Sequence, residues 1–90
     1  MMMTNNLAVR VLYFAWLREK IGQPEEQIVL ASPISARELV NLLIEQSTAH
    51  QAALCDLEPI RVAINQKLAS MDAVVHPGDE LALFPPVTGG

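Results

Sequence analysis

Apolar side chains recur at every second position near the start of the chain. Leu7, Val9, Val11 and Tyr13 share one side of an extended backbone, which predicts a first strand over residues 7–14. The period then changes. Leu17 and Ile21 stand one helical turn apart with Gly22 behind them, which predicts a short helix over residues 15–21 closed by a left-handed glycine. Gln23, Pro24, Glu25 and Glu26 read as a turn, and residues 27–30 as a second strand.

Ser35 and Glu38 have the spacing of a capping box, and Ile34 and Leu39 can close a hydrophobic staple around it. A helix is therefore expected from that point to about Ser47. Leu39, Leu42 and Leu43, with Gln46 continuing the row, form the stripe that lies on a sheet. Residues 48–58 mix Ala, Gln and Leu without a clean period, so only a helical turn around residues 52–57 is expected inside a connecting loop.

Beyond the loop, residues 61–64 read as a strand, Asn65, Gln66 and Lys67 as a turn, and residues 68–70 as a returning strand. His76, Pro77, Gly78 and Asp79 form a turn before a last strand at residues 80–84. Strand parity directs Leu81 and Leu83 toward the helix together with Val62 and Ile64. It leaves Arg61, Ala63, Ala82 and Phe84 on the opposite face, where Leu12 and Phe14 join them. Leu68, if paired beside Ile64, adds to this outer face. Leu12, Phe14, Leu68 and Phe84 then make an apolar patch suited to a partner, with Arg18 and Arg61 as candidate polar anchors.

The order strand, strand, long helix, three strands predicts one α+β unit, a ubiquitin-like β-grasp in which the main helix packs on one face of a mixed sheet. The domain is expected over residues 1–84, with residues 1–6 disordered, and residues 85–90 as an extended tail. Composition narrows the chemistry. Ninety residues, 51% of them hydrophobic, suffice for one core but not for a deep cleft. A net charge of −4 with scattered basic residues argues against nucleic acid as a partner. Neither a signal peptide nor the roughly 18 apolar residues of a membrane span is visible, so no membrane partner and a cytoplasmic location are expected. Cys55 is the one cysteine and reads as packing, and His50 and His76 read as surface or turn histidines without ligand spacing.

The end of the chain carries the candidate chemistry. Pro85 and Pro86 cannot donate to a strand ladder and favour an extended conformation, so the last strand should run into a stiff arm. At ~3.1–3.5 Å per residue that arm reaches on the order of 20 Å. Gly89 and Gly90 have no side chains, which suits passage through a narrow channel and leaves the terminal carboxylate open to attack. A free carboxylate is a poor acyl electrophile, so chemistry at Gly90 requires activation, most economically as an acyl-adenylate made by a separate enzyme.

The run Phe84, Pro85, Pro86, Val87, Thr88, Gly89, Gly90 resembles the terminal signature of the small subunits of molybdopterin synthase, a family of ubiquitin-like sulfur carriers. Val11 to Ala15 followed by Leu17, Arg18 and Glu19 agrees with that family in order and spacing, as do Val62 to Gln66 and Gly78, Asp79 and Glu80. The resemblance implies that an adenylyltransferase of the ubiquitin-activating type consumes ATP to adenylate Gly90. A sulfur donor protein then converts it to a thiocarboxylate. It further implies that Pro85, Pro86, Val87, Thr88 and Gly89 insert into a large subunit within a heterotetramer of two small and two large subunits. There the sulfur enters the dithiolene that converts cyclic pyranopterin monophosphate into molybdopterin. The small subunit is expected to bind no metal or cofactor itself, and to be an enzyme only as part of that sulfurtransferase complex. The alternatives are a sulfur carrier for thiazole, cysteine or tRNA thiolation, and a ubiquitin-like modifier of proteins.

Overall fold

The computed structural model describes residues 7–55 and 59–86. Its elements are β1 (Ala8–Tyr13), α1 (Trp16–Ile21), β2 (Glu25–Val29), β3 (Ile34–Ser35), α2 (Ala36–Ile44), α3 (Thr48–Leu54), β4 (Arg61–Ile64), β5 (Lys67–Ala69), β6 (Val74–Val75) and β7 (Glu80–Phe84). Five strands form a sheet in the order β2-β1-β7-β4-β5, and β3 pairs with β6 in a separate two-stranded sheet. The first and last strands lie side by side and parallel, from Arg10↔Glu80 to Tyr13↔Leu83, while the other pairs of the large sheet are antiparallel. The arrangement is a ubiquitin-like β-grasp of the α+β class.

Alternation does what its period requires. Val9, Val11, Tyr13, Val62, Leu81 and Leu83 are buried on the helix side, and Ile64 packs against them. Leu7, expected to share that face, lies outside β1 and is half exposed. In α1, Leu17 and Ile21 are buried, and Gly22 at φ 94° donates its N–H to Arg18 O at 2.8 Å. No side chain crowds Gly22, so the positive φ alone selects glycine there.

The capping box is present. Ser35 Oγ accepts from Glu38 N at 3.0 Å and Glu38 Oε1 accepts from Ser35 N at 2.9 Å. It sets the start of α2 at Ala36, and the buried stripe follows from that start: Ala36, Leu39, Val40 and Leu43. Leu42 is not part of it. It lies about 100° round the helix from the stripe's centre and is exposed.

The expected run to Ser47 is also shorter in fact. α2 ends at Ile44 because Ser47 is extended, at φ −165° and ψ 168°, and caps a new helix through its side chain. That helix, α3, occupies part of the segment expected to be mostly loop, and it buries His50, Ala53 and Leu54 at i, i+3 and i+4. Strand β2 begins two residues earlier than its apolar run, since Leu12↔Glu25 and Val11↔Glu26 continue the ladder through polar positions. β3 and β6 are two residues each, too short to show a period.

Among the described residues no helix is long and apolar enough to cross a membrane.

Candidate functional site

The face of the large sheet turned away from the helices is built by register. Leu12 pairs with Glu25 and Ala82, Ala82 with Ala63, and Ala63 with Leu68, so one row of side chains crosses all five strands. Leu68 reaches this face opposite Ala63, whereas Ile64, its expected neighbour, pairs with Lys67 and turns inward. Leu68 is 77% exposed, the most exposed of the large hydrophobic residues described.

One step beyond the Tyr13↔Leu83 pair, Phe14 and Phe84 end the same face, and Arg61 sits opposite Phe84. Phe14 is 44% exposed, while Leu12 and Phe84 are half-buried. Ala82 lies on this side by register yet is buried and stands apart from the helix-side core. Its methyl, on the central strand, is covered by larger neighbours.

The face has a polar border. Arg10 lies one row away, 3.0 Å from Glu25 and 4.0 Å from Glu80. The hydrogen bond to Glu25, with that carboxylate's charge, holds the guanidinium above its ordinary pKa. Arg61 is exposed and its Nη1 donates to Ile60 O at 3.5 Å. Arg18 is exposed on α1.

The sheet runs out at Phe84. Pro85 is half-buried and Pro86 is exposed, both without strand pairing, so the chain leaves β7 beside Phe14 and Phe84. The remaining tail positions, Val87, Thr88, Gly89 and Gly90, lie outside the described residues.

A turn at the far end of the sheet fixes the hairpin that presents Leu68. Asn65 N donates to Glu80 O at 2.9 Å, Asn65 Nδ2 to Asp79 Oδ1 at 3.1 Å, and Glu80 N to Asn65 Oδ1 at 3.0 Å. Burial pushes the Asp79 carboxyl up. The hydrogen bonds from His76 N and Asn65, with the nearby His76 ring, outweigh that and hold it below the usual carboxylate range.

One constellation escaped the reading of the sequence. His50 is not a surface histidine. It is buried, with Nε2 2.6 Å from Glu26 Oε2 and Nδ1 2.8 Å from Ser47 Oγ. Tyr13 donates its hydroxyl to the same Glu26 oxygen at 2.5 Å, and its ring meets His50 edge-on. Burial, then the hydrogen bond and charge of Glu26, raises the Tyr13 phenol well above its ordinary value. A tyrosine and a glutamate at inward positions of neighbouring strands were the available signal, since a buried hydroxyl and carboxylate demand partners. The third partner came from α3, whose docking no local pattern announces. Among the described residues no cluster of His, Cys, Asp and Glu could hold a metal ion, and Cys55 is exposed.

Comparison with known proteins agrees with this arrangement. Residues 11–90 match the ThiS family. The molybdopterin synthase sulfur carrier subunit of Haemophilus influenzae is 39% identical over 82 residues, covering 91% of this chain and 99% of that protein. The human protein of the same name is 34% identical over 85 residues, covering 91% and 93%. Among solved structures, small archaeal modifier protein 1 of Haloferax volcanii superposes with a TM-score of 0.72 at 28% identity, covering 89% of this chain and 98% of that one. A chain from the protein–protein complex of subunits 1 and 2 of the molybdopterin-converting factor of Helicobacter pylori gives a TM-score of 0.59 at 26% identity, with 92% and 99% covered. The chain belongs to the ThiS family and, within it, is a relative of the molybdopterin synthase sulfur carrier subunits.

Proposed function

We propose that this chain is the sulfur carrier subunit of molybdopterin synthase, and that Gly90 is its reacting residue. In the first step a carboxylate oxygen of Gly90 attacks the α-phosphorus of ATP on an adenylyltransferase of the ubiquitin-activating type. An acyl-adenylate forms and pyrophosphate leaves. A sulfur donor protein then supplies a sulfide equivalent that displaces AMP, leaving a thiocarboxylate. Pro85, Pro86, Val87, Thr88 and Gly89 carry this group into the large subunit, and its sulfur enters the dithiolene made from cyclic pyranopterin monophosphate.

The observation that carries the reading is the continuity between the outer sheet face and the start of the tail. Leu12, Phe14, Leu68 and Phe84 form an apolar surface that ends where Pro85 leaves β7. A partner seated on that surface would lie beside the departing arm. Docking and delivery then use one contact, with Arg18 and Arg61 at its rim. The full-length relatives that bear the sulfur carrier name support it, as does the two-subunit complex. The cytoplasm, where an ATP-dependent activating enzyme would operate, is the compartment proposed.

Intact mass of the chain, isolated from cells that contain the activating system, tests the chemistry. Exchange of one oxygen for sulfur, lost when Gly90 is deleted, is expected; a carboxylate that persists overturns the proposal. A modifier role has support from the likeness to archaeal modifier proteins. It predicts instead stable higher-mass conjugates on denaturing gels.

A further inference from the structure

The junction between β1 and α1 contains a backbone outlier that the sheet does not require. Ala15 has φ 57° and ψ −137°, the dihedrals of the first central position of a type II′ turn, and Leu17 N closes that turn on Phe14 O at 3.2 Å. Glycine is the residue for this position, because an L side chain there costs of order 1–3 kcal/mol. The chain places an alanine there nonetheless. Alanine in place of glycine gives up stability and gains rigidity, since it narrows the conformations open to the junction.

The residues on either side explain what that rigidity is spent on. Phe14 is 44% exposed and Trp16 is 40% exposed, so a strained turn presents two large rings in succession. Trp16 is held from one side, where Lys20 Nζ lies 5.5 Å from the indole centroid. Lys20 is exposed on α1, as are Glu19 and Arg18.

We propose that the Ala15 turn preorganises Phe14 and Trp16 as a two-ring anchor that extends the docking face from the sheet onto α1, and that the occupant is an apolar pocket of the large subunit rimmed by carboxylates. This rests on the docking reading given above. Phe14 belongs to the outer-face patch, so the anchor continues that surface. The carboxylate rim follows from Lys20, whose ammonium lies over the indole. Tryptophan in a desolvated pocket is the side chain that most often dominates an interface, and fixing its approach in advance lowers the ordering cost of binding.

The test uses the full chain and the large subunit of molybdopterin synthase from the same cell. Ala15→Gly should leave the thermal midpoint unchanged or higher while weakening binding severalfold, and Trp16→Ala should weaken binding about tenfold with its midpoint little changed. Trp16 is the single tryptophan of the chain, so 5-fluorotryptophan labelling gives one fluorine resonance that should shift when the large subunit is added. Wild-type affinity in both variants, or a resonance that does not move while Leu68→Asp abolishes binding, overturns the anchor and leaves the docking face standing. If Leu68→Asp also binds normally, the docking face fails and the anchor with it.

Discussion

His50 Nε2 lies 2.6 Å from Glu26 Oε2, in a contact that ties α3 to the edge strand β2. Four side chains form this relay. Ser47 Oγ accepts from His50 N at 3.1 Å and meets Nδ1, Nε2 meets Glu26, and Tyr13 completes the carboxylate. Because these groups are largely withdrawn from water, removal of one leaves the others unpaid for, at about 1–3 kcal/mol.

His50→Leu is therefore expected to lower stability by about 1–3 kcal/mol, a fall of roughly 4–8 °C in thermal midpoint for each kcal/mol in a domain of this size. His50→Gln, which keeps an N–H donor within reach of Glu26, should recover part of the loss. Equal midpoints for both variants in calorimetry would show that the hydrogen bond contributes nothing.

Tyr13 makes the same relay sensitive to alkali. Its folded pKa is raised above the unfolded value by burial and by Glu26, so the folded state holds its proton where the unfolded chain releases it. The associated stability is fully present below the unfolded phenol pKa of about 10 and is lost as pH climbs beyond it, at up to about 1.4 kcal/mol per pH unit. Denaturant titrations at rising pH should show this decline in the wild type and a shallower one in Tyr13→Phe. Parallel curves would mean that Tyr13 is not the group responsible.

The β4–β5 hairpin turns through Asn65 at φ 51° and Gln66 at φ 71°. Two positive φ values are the mark of a type I′ turn, which favours Asn at the first position and Gly at the second. Gln66→Gly should raise stability by about 1 kcal/mol, seen as a higher denaturant midpoint at unchanged slope. A lowered midpoint would indicate that the Gln66 side chain offsets its backbone strain through contacts of its own.

Leu68 separates folding from docking, since its side chain is on the sheet face remote from the core. Leu68→Asp should alter the thermal midpoint by no more than about 2–4 °C, because exposed substitutions stay within about 0.5 kcal/mol. It should weaken the large subunit's binding by tenfold or more, by calorimetry or surface binding. A large loss of stability would place Leu68 in the structural core instead.

Most elements were legible because their signals are local. The alternation of Val9, Val11 and Tyr13, the Ser35–Glu38 box and Gly22 each act over a few residues, so strand, helix start and helix stop could be read directly. The outer face was legible as well, since parity along β4 and β7 assigns every side chain once one is assigned. The chemistry proposed for Gly90 rests on residue types and their order alone.

The rest depended on which elements meet. Leu42 satisfies the helical spacing as well as Val40 does, and only the seating of α2 on the sheet leaves Leu42 in water and Val40 buried. His50 has no pattern of its own. It becomes a core residue because α3 packs where Glu26 and Tyr13, brought together by the β1–β2 pairing, offer it a carboxylate. β3 and β6 exist only through each other, paired at Ile34↔Val75 across 40 intervening residues. The sequence by itself determined the strands of the large sheet and the capped start of the main helix, because backbone propensity and side-chain period are short-range. Only the tertiary structure decided the buried relay, the seating of the helices and the row from Glu25 to Leu68, because long-range pairing and desolvation choose among positions that local pattern leaves equivalent.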